Sequence, residues 1–189
     1  MPGGLAGAEQ VDGTSETEVA AFLGRVGTLD HLVLAFSPGP VGMGTLADTD
    51  LADVRAAFDG KLFPYLYAIK QAHVTGSVTM VSAASARSGV PGSFALAAVN
   101  GAIERVVSPL AAELAPVRVN AVSPGVVDTN WWSFLPEEQR QTQFAAAAQT
   151  IPAGRVGTPE DVATAIRYLI GAPYVTGSIL PVDGGFTVA

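Results

Sequence analysis

Cysteine is absent from the 189 residues, which removes disulfides, thiolate metal sites and cysteine nucleophiles together. Histidine occurs only at His31 and His73, far apart, and no carboxylate pair has ligand spacing, so no metal site is expected. Charge is also scarce. Charged residues make up 14% of the chain, where a soluble domain carries about a quarter. The 10 Lys and Arg against 17 Asp and Glu leave a formal charge of −7, which excludes a phosphate backbone or an anionic membrane surface as the natural partner. Unbroken apolar runs are missing as well: the charge-free stretches 88–103 and 168–182 are interrupted by Gly or Pro, so nothing reads as a membrane span. The first ten residues have neither a basic start nor an apolar signal core, and a cytoplasmic location is expected.

What the chain does have is 49% apolar residues without a linker, an internal repeat or a low-complexity tail, so residues 1–189 read as one domain. Short apolar runs alternate with amphipathic stretches, the pattern of a parallel sheet covered by helices on both faces. His31–Phe36, Ser77–Val81, Val117–Val122 and Ser178–Val182 read as strands. Pro181 puts the last of them at a sheet edge. Ser15 and Glu18 form a capping box that opens a helix running to about Val26. Residues from Asp50 to Ala72 read as helical with a break at Pro64. Phe94–Ala115 is a long Ala-rich helix, and Thr158, Pro159 and Asp161 open another.

Three segments carry a resemblance. Ala115–Thr129, with its Arg118-Val-Asn-Ala-Val-Ser-Pro-Gly125 core, is similar to the central segment of the short-chain dehydrogenase/reductase (SDR) family. Val156–Val162 and Val175–Gly185 resemble that family's C-terminal segments, in the same order and spacing. The resemblance covers the chain from about residue 8 onward. It implies a Rossmann-like α/β fold with a parallel sheet of four or five strands, flanked by helices on both faces. It also implies a Ser, a Tyr-x-x-x-Lys pair and a helix-borne Asn as site residues. In register with Glu104 and Arg118, those positions fall on Ala83, Leu96, Asn100 and Lys61, so all four differ. Only about ten residues precede Val11 and Asp12, too few for the strand, Gly-rich turn and helix that hold a dinucleotide in the family. The expectation is therefore a chain lacking the N-terminal dinucleotide-binding βαβ unit, with no cofactor and no measurable NAD(P)H binding. Gly39, Gly42 and Gly44 follow a strand but at the wrong spacing, and read as a loop rather than a phosphate cradle.

In an open parallel sheet the ligand crevice lies beyond the carboxyl ends of the strands. The residues there define the candidate site. Lys61 and Asn100 stand out because, in the family register, amine and amide have exchanged places. A lysine turned inward beside apolar residues would lose solvation and become a base or an imine-forming amine. Lys61, Asn100, Ser82 and Ser85 are the candidate catalytic residues. Phe36, Ser37, Arg87, Phe94, Leu96, Asp128, Trp131 and Trp132 are the candidate substrate contacts. A Ser-His pair is not expected, since neither histidine belongs at the crevice. The function expected is a cofactor-independent enzyme that isomerises, dehydrates or cyclises a small apolar molecule, of isomerase, lyase or cyclase type. The alternatives are a non-catalytic subunit and a residual NAD(P)-dependent oxidoreductase. The low charge and the apolar 94–115 helix lead to a homo-oligomer, dimer or tetramer, and the resemblance implies that it forms through the 50–72 and 94–115 helices.

Overall fold

The computed structural model describes residues 7–188; part of the decapeptide from which the absence of a leader is read lies outside them. Helix α1 (Glu16–Val26) opens with the Ser15 hydroxyl accepting from the Glu18 amide, but the expected capping box is only half made, because the Glu18 carboxylate accepts from the Asp12 amide instead of that of Ser15. It feeds directly into β1 (Thr28–Leu34). Two helices follow, α2 (Leu51–Asp59) and α3 (Leu62–Gln71), then β2 (His73–Val81). Helix α4 (Phe94–Glu113) connects to β3 (Arg118–Pro124), and α5 (Glu137–Thr150) and α6 (Pro159–Gly171) lead to β4 (Ile179–Val182).

The four strands are all parallel and lie in sequential order, β1-β2-β3-β4. The two faces of the sheet separate by the period of two that strands impose. Val78 and Met80 of β2, with Val119 and Ala121 of β3, enter one core with Tyr65 and Ala68 of α3 and Ile103 and Val107 of α4. The alternate residue Asn120 turns the other way and clamps the approach to β4, donating to the Val175 carbonyl at 2.9 Å and accepting from the Ser178 amide at 3.1 Å. Arg118 spends its guanidinium on the carbonyls of Leu169, Ile170 and Val175, closing the end of α6. The Rossmann-like parallel sheet with flanking helices thus stands as expected.

Several boundaries differ from the sequence reading. The break between α2 and α3 falls at Gly60 and Lys61, not at Pro64, which sits in the first turn of α3 where its missing N–H costs nothing. The cause is steric. A Cβ on Gly60 would lie 2.6 Å from Pro38 Cβ, so the chain can pass there only as glycine. His31 lies inside β1 rather than at its start, its Nδ1 2.9 Å from the Ser77 hydroxyl. His73 begins β2 instead of ending a helix. Helix α5 has no apolar stripe beyond Phe144, and hydrophobic periodicity could not have found it. Helix α4 is long and apolar enough to cross a membrane by length and composition, and here its Val99, Ile103 and Val107 stripe is buried against the sheet.

Candidate functional site

The carboxyl ends of β1, β2 and β3 open into a cleft of about 580 Å³, a size suited to a small organic ligand. Its floor is Ala35–Gly39 after β1, Val81–Ser85 after β2, and Pro124–Val127 after β3. Its walls are Leu96 of α4, Trp131 and Trp132, and Val162 and Ile166 of α6.

Among the described residues, Lys61 is the one charged residue in the lining. The α2–α3 break points it inward, and it is only 6% exposed. Its Nζ donates to Asn100 Oδ1 at 2.7 Å and to the Ser82 carbonyl at 3.4 Å. Both partners are neutral, and among the described residues no carboxylate forms an ion pair with it. Burial therefore pulls its pKa down to about 8. Asn100 is held in turn: its Nδ2 donates to the Leu96 carbonyl at 2.9 Å and to Ser85 Oγ at 3.2 Å, which fixes the amide with its oxygen toward the lysine. Two acceptors leave one tetrahedral position on Nζ for a ligand. Ser85, which only accepts from Asn100, keeps its own hydrogen available to the cleft.

The other expected site residues divide. Phe36, Ser37, Leu96, Trp131 and Trp132 line the cleft. The hydroxyl of Ser82 does not serve it: Ser82 Oγ donates to Glu104 Oε1 at 2.9 Å and lies 3.2 Å from the Val122 carbonyl. Arg87 is turned away to pair with Glu104 at 3.3 Å. Phe94 and Asp128 are not in the lining either; Asp128 pins its loop instead, its amide donating to the Gly157 carbonyl at 3.0 Å. The tryptophans sit on the 3-10 turn Asn130–Phe134, capped by Thr129, with ring centroids 4.9 Å apart. Phe144 of α5, buried and 5.6 Å from Trp132 edge-on, backs them.

Sequence reasoning missed Met43, Val90, Val162, Ile166 and the hub at Glu104. The i, i+4 spacing of Val162 and Ile166 was the available signal for α6. Glu104 helped set the family register, but its place as a hub was not legible, because the Ser82 and Ser123 hydroxyls that meet its Oε1 come from the ends of two different strands.

The 39–44 loop is no phosphate cradle. Its Gly39, Met43 and Gly44 amides are spent on Ser37 Oγ and on the Pro40 and Gly92 carbonyls, and a Cβ on Gly42 would meet Ala95 at 2.8 Å. Residues Pro124–Val127 behave differently. They border the cleft, and the Val126 and Val127 amides donate to no backbone carbonyl recorded among the described residues. That edge leaves two backbone donors for a ligand in the cleft. Among the described residues no strand pairs with the outer edge of β1, where a diphosphate-binding turn would be sought.

An open parallel sheet with a ligand cleft at its strand ends defines a protein of the Rossmann-like class. The chain belongs to the short-chain dehydrogenase/reductase family: a family model described as "Enoyl-(Acyl carrier protein) reductase" matches residues 7–187. It is 39% identical over 126 residues to the 3-oxoacyl-[acyl-carrier-protein] reductase FabG of Thermotoga maritima, covering 65% of this chain and 49% of that protein. It is 33% identical over 168 residues to the short-chain dehydrogenase/reductase ATR9 of Stachybotrys chlorohalonatus, covering 84% of this chain and 64% of that one. The alignments span about half the length of the first curated relatives, 49%, 44% and 46%. Among solved structures, a small-chain dehydrogenase in complex with NADPH superposes with a TM-score of 0.91 at 32% identity, over 95% of this chain and 83% of its own.

These likenesses correct the functional expectation. A cofactor-independent enzyme of isomerase, lyase or cyclase type is overturned, because the relatives are reductases and dehydrogenases and one such structure holds NADPH. The residual oxidoreductase alternative is the better supported. The expected loss of a whole N-terminal unit finds no support in an overlap of this breadth.

Proposed function

We propose that this chain serves an NAD(P)-dependent oxidoreductase that interconverts a carbonyl and a carbinol on a small, largely apolar molecule, with Lys61 as the proton carrier. The observation that carries the reading is the buried Lys61–Asn100 pair facing an apolar cleft. The oxidoreductase names of its relatives and the NADPH complex of a structural neighbour support the redox class. The SDR register supports the other half: its tyrosine position is Leu96 here, and a proton donor is needed from elsewhere.

A nicotinamide, when bound, supplies or accepts the hydride. Pro124–Val127 and Thr129 are the residues that would hold its ring end. The remaining work belongs to this chain's own side chains. The Lys61 ammonium has two hydrogens committed to Asn100 and Ser82, which leaves the third for a substrate oxygen in the cleft. As that oxygen gains negative charge, the ammonium stabilises it and passes its proton across. Ser85 donates a second hydrogen bond to the same oxygen. Trp131 and Trp132 exclude water, which strengthens both interactions. In the oxidative direction the neutral amine takes the carbinol proton. Lys61 with a pKa of about 8 can do either near neutral pH.

The test is NAD(P)H oxidation against a panel of apolar ketones. Reduction should fall as pH rises through about 8 and oxidation should rise through the same range. Lys61→Met should lower kcat by about 100-fold or more, with the helix content retained. Full activity in that variant removes Lys61 from the reaction.

A further inference from the structure

Among the described residues, the cleft lysine Lys61 has no counter-ion. We infer that it binds amphipathic monocarboxylates, an apolar body with one acidic head, with the carboxylate on Lys61 Nζ and the hydrocarbon against Leu96, Trp131 and Trp132. The inference shares Lys61 with the proposed reaction but does not depend on hydride transfer. It extends that reading by naming a ligand class that competes for the proton carrier.

Nζ is buried, and its two partners are an amide oxygen and a backbone carbonyl, which stabilise an ammonium without neutralising it. The charged groups of neighbouring elements are committed elsewhere. Glu104, one turn along α4 from Asn100, is held by the Ser82 and Ser123 hydroxyls and paired with Arg87. Asp59 at the end of α2 is exposed. Tyr65 on α3 gives its hydroxyl to the Phe36 and Val81 carbonyls, and burial pushes its pKa up, so it stays neutral. Asp183, beyond β4, is spent on Gly185 and Thr187. A ligand carboxylate is thus the missing anion, and a charge-assisted bond in this dry setting is stronger than one at a surface. No arginine and no second lysine lines the cleft, so a dianionic phosphate finds half the charge it needs. The remaining lining is apolar and rewards a hydrocarbon body.

The chain provides its own reporter. It has two tryptophans, and both line the cleft. Octanoate and the matched neutral octanamide can therefore be titrated against the full chain by tryptophan emission, with no cofactor and no turnover. Octanoate should shift the emission saturably, and octanamide should bind at least about tenfold more weakly. The anion binds only the ammonium form, so octanoate affinity should be level between about pH 6 and about pH 8, where the ligand is ionised, and fall about tenfold per pH unit above that range. Lys61→Met should abolish the preference for the acid. Should that variant fail to fold, the pH series on the unaltered chain decides by itself. Octanamide binding as tightly as octanoate, or an affinity unchanged to about pH 9.5, overturns the inference. Octanoate binding without any hydride transfer would leave it intact and remove the proposed reaction; turnover without octanoate binding would do the reverse.

Discussion

At the scale of single residues, Lys61 should leave a mark on stability as well as on chemistry. Its pKa is about 8 in the folded chain against an ordinary 10.5. The folded state therefore binds the proton less tightly than the unfolded state. The resulting cost is fully present below about pH 8 and fades as pH rises toward the unfolded value. The stability difference between the unaltered chain and Lys61→Met should move in favour of the former by about 2–3 kcal/mol between about pH 7 and about pH 10. Denaturant titrations of both proteins at each pH check this, and other titrating groups cancel in the comparison. Tyr65 makes a second case. It is fully buried, its hydroxyl lies 3.1 Å from the Phe36 carbonyl and 3.2 Å from that of Val81, and its ring meets Phe36 edge-on. Tyr65→Phe keeps the ring and strands two carbonyls at the cleft floor, so it should cost about 1–2 kcal/mol in chemical denaturation.

At the scale of elements, the site depends on where α2 stops and α3 begins. Gly60 lets the chain pass Pro38, and this contact aims Lys61 across to Asn100 on α4. Gly60→Ala would put a Cβ 2.6 Å from Pro38 Cβ and 2.8 Å from Cγ. The substitution should destabilise the fold by about 1–3 kcal/mol and weaken cleft ligands more than Ser88→Ala, which removes a hydroxyl elsewhere in the lining. Thermal unfolding followed by tryptophan titration separates the two effects. The hub at Glu104 works between elements too, tying the ends of β2 and β3 to α4 and so setting the Ser82 carbonyl that faces Lys61.

At the scale of the molecule, the expected homo-oligomer is a proposal with a physical basis. Helix α4 carries charge only at Glu104, Arg105 and Glu113, and Glu104 is turned into the site. Leu51 at the start of α2 and Phe63 at the start of α3 are 57% and 42% exposed. Two copies pairing through these helices would cover that surface without the charge penalty a typical helix face would impose. Light scattering at micromolar concentration should return a multiple of 19.3 kDa. A monomer would show that the α2, α3 and α4 faces stay solvated.

The sequence by itself determined what local chemistry can encode. Apolar runs located the four strands of the described residues, the Ser15 and Thr158 caps started α1 and α6, and Pro181 placed β4 at the sheet edge. The family register brought Lys61 and Asn100 together before any distance was known, because residues that share a site in one fold share it in its relatives. Tertiary structure decided what depends on contacts between distant segments. It moved the helix break from Pro64 to Gly60, since the reason lies in Pro38, 22 positions away (60 − 38). It withdrew Arg87 and the Ser82 hydroxyl from the cleft, because Glu104 on another element offered them a better partner. It also set the state of Lys61. A lysine's charge is cheap in water and costly in an apolar cleft, and only the packed walls around it determine which of the two it meets.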